Sequence, residues 1–240
     1  ADAPMGAVQQ FVRDVLDSRE VPPPAQGYAD EAFAEIYCAR SAESSLRDHA
    51  LIDPIIERAL PVGARLAASR VLDVGCGWGR WAQRLTARGA AVVGIEPSAA
   101  MASRAREMSL AHFDLHIGTL LDTPLSGPFD IVLASMSLDH EPELELALRR
   151  IGRLLAPRGR LIVSSEHPLR TATSCGGRWA AHRPARRRAV LLPGPRADTG
   201  VGRGQRRRGH PRSVEDWTSA LTRAGLRIVS IHEPGDASTD

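Results

Sequence analysis

Apolar residues recur along this chain at two spacings, and the switches between them mark out its elements. Val8, Phe11, Val12, Val15 and Leu16 fall three and four apart, the period of one helix face over residues 7–20, and Pro22-Pro23-Pro24 ends the segment. A helical region from Asp30 to about Tyr37 follows. Residues 44–60 come next, where Leu51, Ile52, Ile55, Ile56, Ala59 and Leu60 repeat at helical spacing before Pro61 and Gly63. From residue 70 onward, short unbroken apolar runs alternate with amphipathic segments. The pattern predicts strands at 70–75, 91–95, 113–117, 129–134, 160–165 and 226–232, with helices at about 79–88, 98–110, 141–155 and 213–224. Continuous apolar strands alternating with amphipathic helices predict an α/β fold: a doubly wound, mostly parallel sheet with helices on both faces. The expected organisation is an N-terminal helical arm or cap over residues 1–69, a core over 70–170, an arginine-rich insert over 171–212, and a closing helix and strand over 213–240.

Composition changes this picture in one place. The chain has 240 residues, 43% of them hydrophobic, enough for one large domain with a real core. Its net charge of +3 is unevenly spread. Residues 171–212 hold eleven arginines and one acid, Asp198, which leaves 20 basic against 27 acidic residues elsewhere. The chain contains neither lysine nor asparagine, as avoidance of AT-rich codons in a GC-rich bacterial gene would produce. No apolar run approaches about 18 residues and no basic start precedes an apolar stretch, so we expect a cytoplasmic protein without membrane association. Cys38, Cys76 and Cys175 are odd in number and widely spaced, which supports neither a disulfide framework nor a metal site. Cys76 reads either as a small residue in a turn or as a reactive thiol.

The candidate chemistry gathers at Val71-Leu72-Asp73-Val74-Gly75-Cys76-Gly77-Trp78-Gly79-Arg80. A β-branched run enters, three glycines turn the chain, and a helical pattern leaves, which is the layout of a strand running into a nucleotide-binding turn. Glycine suits such a turn because it tolerates positive φ and lets a ligand approach the main chain. Glu96 ends the next strand, 23 residues beyond Asp73 and near the roughly 20-residue spacing at which a carboxylate meets ribose hydroxyls. The plainer reading of Glu96 is a solvated acid before the N-cap candidate Ser98. A pyrophosphate turn would carry a third glycine where Arg80 stands, which argues against a nicotinamide-dependent dehydrogenase.

With Val93-Gly94-Ile95-Glu96-Pro97-Ser98 and Met101, Phe129-Asp130-Ile131-Val132-Leu133, and Leu154-Leu155-Ala156-Pro157-Arg158-Gly159-Arg160-Leu161-Ile162-Val163, the turn resembles the Rossmann-like, class I S-adenosylmethionine-dependent methyltransferases of the small-molecule type. The resemblance spans roughly residues 70–170, with a weaker tail at 213–234. It implies S-adenosylmethionine as cofactor, its methionine part held by Asp73, Gly75, Cys76 and Gly77, its ribose by Glu96, and its adenine bordered by Pro97 and Met101. Thr119 and Leu120 match the loop that reads the adenine edge, although the family often has an acid where Thr119 stands. Ser135, just after the fourth strand, is a further candidate for holding the cofactor. Tyr37 and Arg47 resemble an N-terminal region that closes over the cofactor, with a solvated helix face as the alternative. Trp78 and Trp81 read as packing. The family usually adds a last antiparallel strand, for which the sequence shows no segment.

Methyl transfer needs alignment and exclusion of water, and a base only when the acceptor must lose a proton. His140, after the fourth strand, and His167, after the fifth, are the candidate catalytic residues; the plain alternative for each is a loop histidine satisfied by backbone. The expected reaction is transfer of a methyl group to a hydroxyl or amine of a small molecule, in a setting such as bacterial secondary metabolism. The insert offers Arg186-Arg187-Arg188 and Arg206-Arg207-Arg208, which would suit an RNA methyltransferase. It lacks periodicity and, after Trp179, aromatic interleaving, so it reads against a nucleic-acid partner. A shifted reading frame from about Gly176 to Pro211 would explain its abrupt onset, and a catalytically inert cofactor-binding homologue is the alternative from another class.

Overall fold

The computed structural model describes residues 34–35, 37–39, 47–166, 210 and 212–233. The helix expected over 7–20, the candidate His167 and most of the arginine-rich insert lie outside the described residues. Residues 34–35 and 37–39 are helical. Helix α1 spans Arg47–Ala59 and α2 Ala64–Ala67. Strand β1 (Arg70–Val74), helix α3 (Arg80–Thr86), strand β2 (Ala91–Glu96), helix α4 (Ala99–Glu107), and strands β3 (Phe113–Ile117) and β4 (Phe129–Ser135) follow. A single 3-10 turn, Leu138–His140, then leads to helix α5 (Leu144–Leu154), strand β5 (Leu155–Ser164) and helix α6 (Val214–Arg223).

The five strands form one sheet in the order β3-β2-β1-β4-β5, and every pairing is parallel. Parallel strands need both faces covered, and the side-chain alternation divides them accordingly. Leu72, Val74, Val93, Ile95 and Val132 face a core built with Leu148, Ile151 and Trp217 of α5 and α6. Val71, Val92, Ile131 and Leu133 face the other, with Ile56 and Leu60, Leu66, Trp81 and Leu85. The predicted strands and helices from residue 70 to 224 therefore lie where the apolar pattern put them, within a few residues at their ends.

Two differences have physical causes. Strand β5 begins at Leu155, earlier than expected, because Phe129 pairs with Leu155 while Ile131 pairs with Arg160; the chain bulges over the intervening Pro157-Arg158-Gly159. The strand expected at 226–232 does not form. That segment is irregular and outside the sheet, with Val229 84% exposed. A strand exists only through hydrogen bonds to a neighbour, and no described strand lies alongside to supply them. Its β-branched residues gave the right propensity without a partner. Among the described residues no helix is long and apolar enough to cross a membrane.

Candidate functional site

In an open parallel sheet, ligands bind beyond the carboxyl ends of the strands where the strand order reverses, which here is the crevice between β1 and β4. The glycine turn leaves β1 at that point. Gly75, Gly77 and Gly79 have φ of +66°, +58° and +89°. Gly75 also requires that the side chain be missing, since a Cβ there would lie 2.5 Å from Ser137 Cβ, while one at Gly77 would press on the flexible end of Met101, Cε at 3.3 Å. The turn is fastened to the end of β2, since the Gly75 and Cys76 amides both donate to the Ile95 carbonyl, at 2.8 and 3.0 Å.

Glu96 is the second anchor. Its Oε2 accepts the Gly77 amide at 2.8 Å and its Oε1 accepts the Ser98 amide at 2.8 Å. A carboxylate has about four acceptor sites, so each oxygen keeps one for a ligand. Burial pushes the Glu96 carboxyl above its usual range, opposed by those two amide bonds and by the charge of His140. Ser98 caps α4 by accepting the Met101 amide at 3.2 Å, which seats the buried Met101 beside Gly77. Pro97 is exposed at the rim. Cys38 lies against Met101, Sγ to Sδ 3.9 Å, which brings the helical residues 37–39, half-buried Tyr37 among them, up to α4.

Asp73 is buried below the turn, and its Oδ2 has no hydrogen-bond partner. Desolvation pushes its carboxyl up to about 7, with Arg80 opposing and Glu96 reinforcing the shift. Desolvation likewise raises the buried Cys76 thiol well above normal and Cys38 to about 11, so both stay protonated and neither has a nucleophile's character. Between its two readings, Cys76 fits the small residue in a turn.

At the end of β4, the Met136 amide donates to the carbonyl and hydroxyl of Ser164, at 3.0 and 3.1 Å, and Ser164 Oγ lies 3.5 Å from Ser135 Oγ. The Leu138–His140 turn follows, with His140 exposed at the rim and near enough to Glu96 to act on it. This turn is clasped from the far side. Asp139 Oδ2 accepts the Glu166 amide at 3.0 Å and the Asp139 carbonyl accepts the His210 amide at 2.7 Å. Arg212 donates to the carbonyls of Leu138, at 2.9 Å, and of Glu141, while lying over the Trp217 ring.

Of the residues singled out from the sequence, the crevice thus gathers Asp73, Gly75, Cys76, Gly77, Glu96, Pro97, Met101, Ser135 and His140. Leu120 is buried in the core beneath it. Thr119 is engaged with its own loop, its hydroxyl donating to Asp122 at 2.6 Å and its carbonyl accepting Thr123. Arg47 opens α1 on the cap side, its side chain outside the described set, as is His167. Sequence reasoning missed Ser137, whose buried hydroxyl has no partner and faces Gly75. Its signal was its place just past the end of β4. It also missed the ion pair by which Asp53 of α1 holds Arg80 at the start of α3, because the two helices meet only in three dimensions. Among the described residues no group of three His, Cys, Asp or Glu side chains could hold a metal ion.

The family profile described as "Methyltransferase domain" matches residues 45–231. Among curated relatives, a protein named ubiquinone biosynthesis O-methyltransferase from Nitrobacter winogradskyi is 34% identical over 103 residues, 42% of this chain and 40% of that protein. One of the same name from Pseudomonas aeruginosa is 30% identical over 141 residues, covering 56% of this chain and 60% of the relative. The chain thus spans roughly half the length of these relatives. A solved S-adenosylmethionine dependent methyltransferase from Mesorhizobium loti is 28% identical, with a TM-score of 0.58 over 77% of this chain and 85% of that one.

Proposed function

Because the chain belongs to the methyltransferase-domain family, we propose that it transfers a methyl group from S-adenosylmethionine to a hydroxyl group of a small molecule. The observation that carries this reading is the Glu96 carboxylate, buried at the sheet's switch point and held by the Gly77 and Ser98 amides with acceptor capacity to spare. The residues present fit the cofactor. A glycine turn that a Cβ would fill, an acid at the end of β2, and the unpartnered polar atoms of Asp73 and Ser137 ask for a polar, amino-acid-bearing nucleoside. When bound, S-adenosylmethionine supplies a methyl group on a sulfonium, an electrophilic carbon that leaves behind a neutral thioether.

The chain's own residues would then do four things. Backbone at Gly75 and Gly77 receives the methionine part, with Asp73 below it, ionised above about pH 7, for the ammonium. Glu96 takes the vicinal diol of the ribose, while Pro97, Met101 and the Thr119-Leu120 loop border the base. Tyr37 and Arg47, on the cap side, help exclude water, which strengthens every polar contact inside. His140, at the rim after β4, takes the proton that the acceptor hydroxyl loses as its oxygen gains the methyl group.

A hydroxyl is preferred to an amine because the relatives are named O-methyltransferases. Those relatives serve ubiquinone biosynthesis, and secondary metabolism is the setting expected from the sequence, so the acceptors to try are quinone-precursor phenols and phenolic natural products. The test is label transfer from methyl-tritiated S-adenosylmethionine to such a panel beside matched amines. The expected result is label on phenolic oxygen, with His140→Ala lowering kcat about a hundredfold or more. Label on amines alone would overturn the choice of hydroxyl.

A further inference from the structure

The chain leaves β4 through a strained step. Met136 has φ +54°, in the left-handed region that a residue with a side chain enters only under constraint. The constraint is Ser164 at the end of β5. The Met136 amide donates to its carbonyl at 3.0 Å and to its hydroxyl at 3.1 Å, and that hydroxyl lies 3.5 Å from Ser135 Oγ. Ser164 thus locks the tips of β4 and β5 together with the strained residue between them. The residue delivered by this step is Ser137. Its Cβ lies 2.5 Å and its Oγ 3.3 Å from where a Gly75 Cβ would stand, so the chain after β4 closes on the glycine turn across the crevice between β1 and β4.

Ser137 also heads the Leu138–His140 turn, its carbonyl accepting the His140 amide at 3.1 Å. A serine in that place ordinarily uses its hydroxyl to accept an amide of the first turn, as Ser98 does for α4 and Ser213 for α6. Ser137 makes no such bond. Its hydroxyl lies against Gly75 instead and, among the described residues, has no hydrogen-bond partner. A buried hydroxyl without a partner costs stability that alanine would not, so its presence at the crevice asks for a ligand. Building on the proposed use of S-adenosylmethionine, we propose that Ser137 is a cofactor-binding residue whose hydroxyl hydrogen-bonds the charged head of the amino-acid part received at Gly75. A hydroxyl both donates and accepts, so it suits the carboxylate or the ammonium of that head. The residue is half-buried while its oxygen is closed off, so binding goes with rotation about its one side-chain torsion between staggered positions. The Ser164 lock keeps the backbone in place while the hydroxyl turns.

The test separates the head of the ligand from its nucleoside. Wild type, Ser137→Ala and Ser137→Cys are titrated calorimetrically with S-adenosylhomocysteine and with methylthioadenosine, which keeps adenine and ribose but lacks the amino-acid head. Both variants should lose about tenfold or more in affinity for S-adenosylhomocysteine and stay within about twofold for methylthioadenosine. Ser137→Cys keeps an atom in the place of Oγ with only a weak donor, so its loss is one of hydrogen bonding rather than of packing. Without ligand, Ser137→Ala should melt no lower than the wild type, since the hydroxyl it removes has no partner to lose. Equal weakening of both ligands with a lower melting temperature would mean a packing role and overturn the proposal. Wild-type affinity for S-adenosylhomocysteine in both variants would overturn it alone and leave the cofactor reading standing. If the wild type binds neither ligand, the cofactor reading fails and this proposal with it.

Discussion

Gly75 shows how much the site rests on single atoms. At φ +66°, with Ser137 Cβ 2.5 Å from where its own Cβ would stand, Gly75→Ala combines backbone strain with a collision against the loop after β4. We expect a stability loss of about 1–3 kcal/mol in thermal unfolding, together with at least about a tenfold loss of S-adenosylhomocysteine affinity. Asp73 behaves in the opposite way. Its proton stays on to about pH 7 in the fold, against about 3.8 for an ordinary aspartate, so its contribution to stability is full below about 3.8 and is lost as the pH rises through 7. Asp73→Asn should therefore be more stable to unfolding than the wild type at about pH 8.5, by about 2–4 kcal/mol, and melt at a higher temperature, with the gap closing near pH 4 and ligand binding lost. Equal melting temperatures at the alkaline end would contradict a strained, buried carboxylate. Asp73, Gly75, Gly77 and Glu96 were legible in the sequence because motif spacing alone brings them together. Asp53 and Ser137 were not, because they reach the turn from α1 and from the loop after β4 through tertiary packing.

Among the elements, α6 and the turn after β4 are joined by one side chain. Ser213 and Asp216 form a capping box that starts α6, and Arg212, just ahead of it, clasps the carbonyls of Leu138 and Glu141. Arg212→Ala removes charge-assisted hydrogen bonds to both carbonyls, of which that of Leu138 keeps the Glu141 amide at 3.2 Å. It should cost about 2 kcal/mol in denaturant unfolding and slow methyl transfer more than it weakens S-adenosylhomocysteine binding, because the turn carries His140 rather than the glycine floor. Ser213→Ala should cost about 1 kcal/mol and leave transfer nearly unchanged. Reversed magnitudes for the two variants would contradict this division. The longer helices and the five strands of the sheet were readable from apolar periodicity, whereas the four-residue α2 (Ala64–Ala67) was not, being too short to show a period. Residues 226–232 misled because strand propensity describes a segment, whereas a strand needs a neighbour to bond with. The early start of β5 escaped notice because its bulge depends on pairing with β4.

For the whole molecule, parallel strand order forces the crevice between β1 and β4, and the glycine turn, Glu96 and the turn bearing His140 converge there from three separate strand ends. Fold class was recoverable from sequence because alternation of apolar strands and amphipathic helices admits few arrangements. The acceptor was not, since motif spacing describes only the turn that would hold the donor. The most direct test of the account is calorimetric titration of the wild-type protein at about pH 8 with S-adenosylhomocysteine and, separately, NAD. The account predicts saturable one-to-one binding of S-adenosylhomocysteine that is lost in Glu96→Ala, and no heat from NAD. Binding of NAD, or no binding of S-adenosylhomocysteine by a folded wild type, would contradict it.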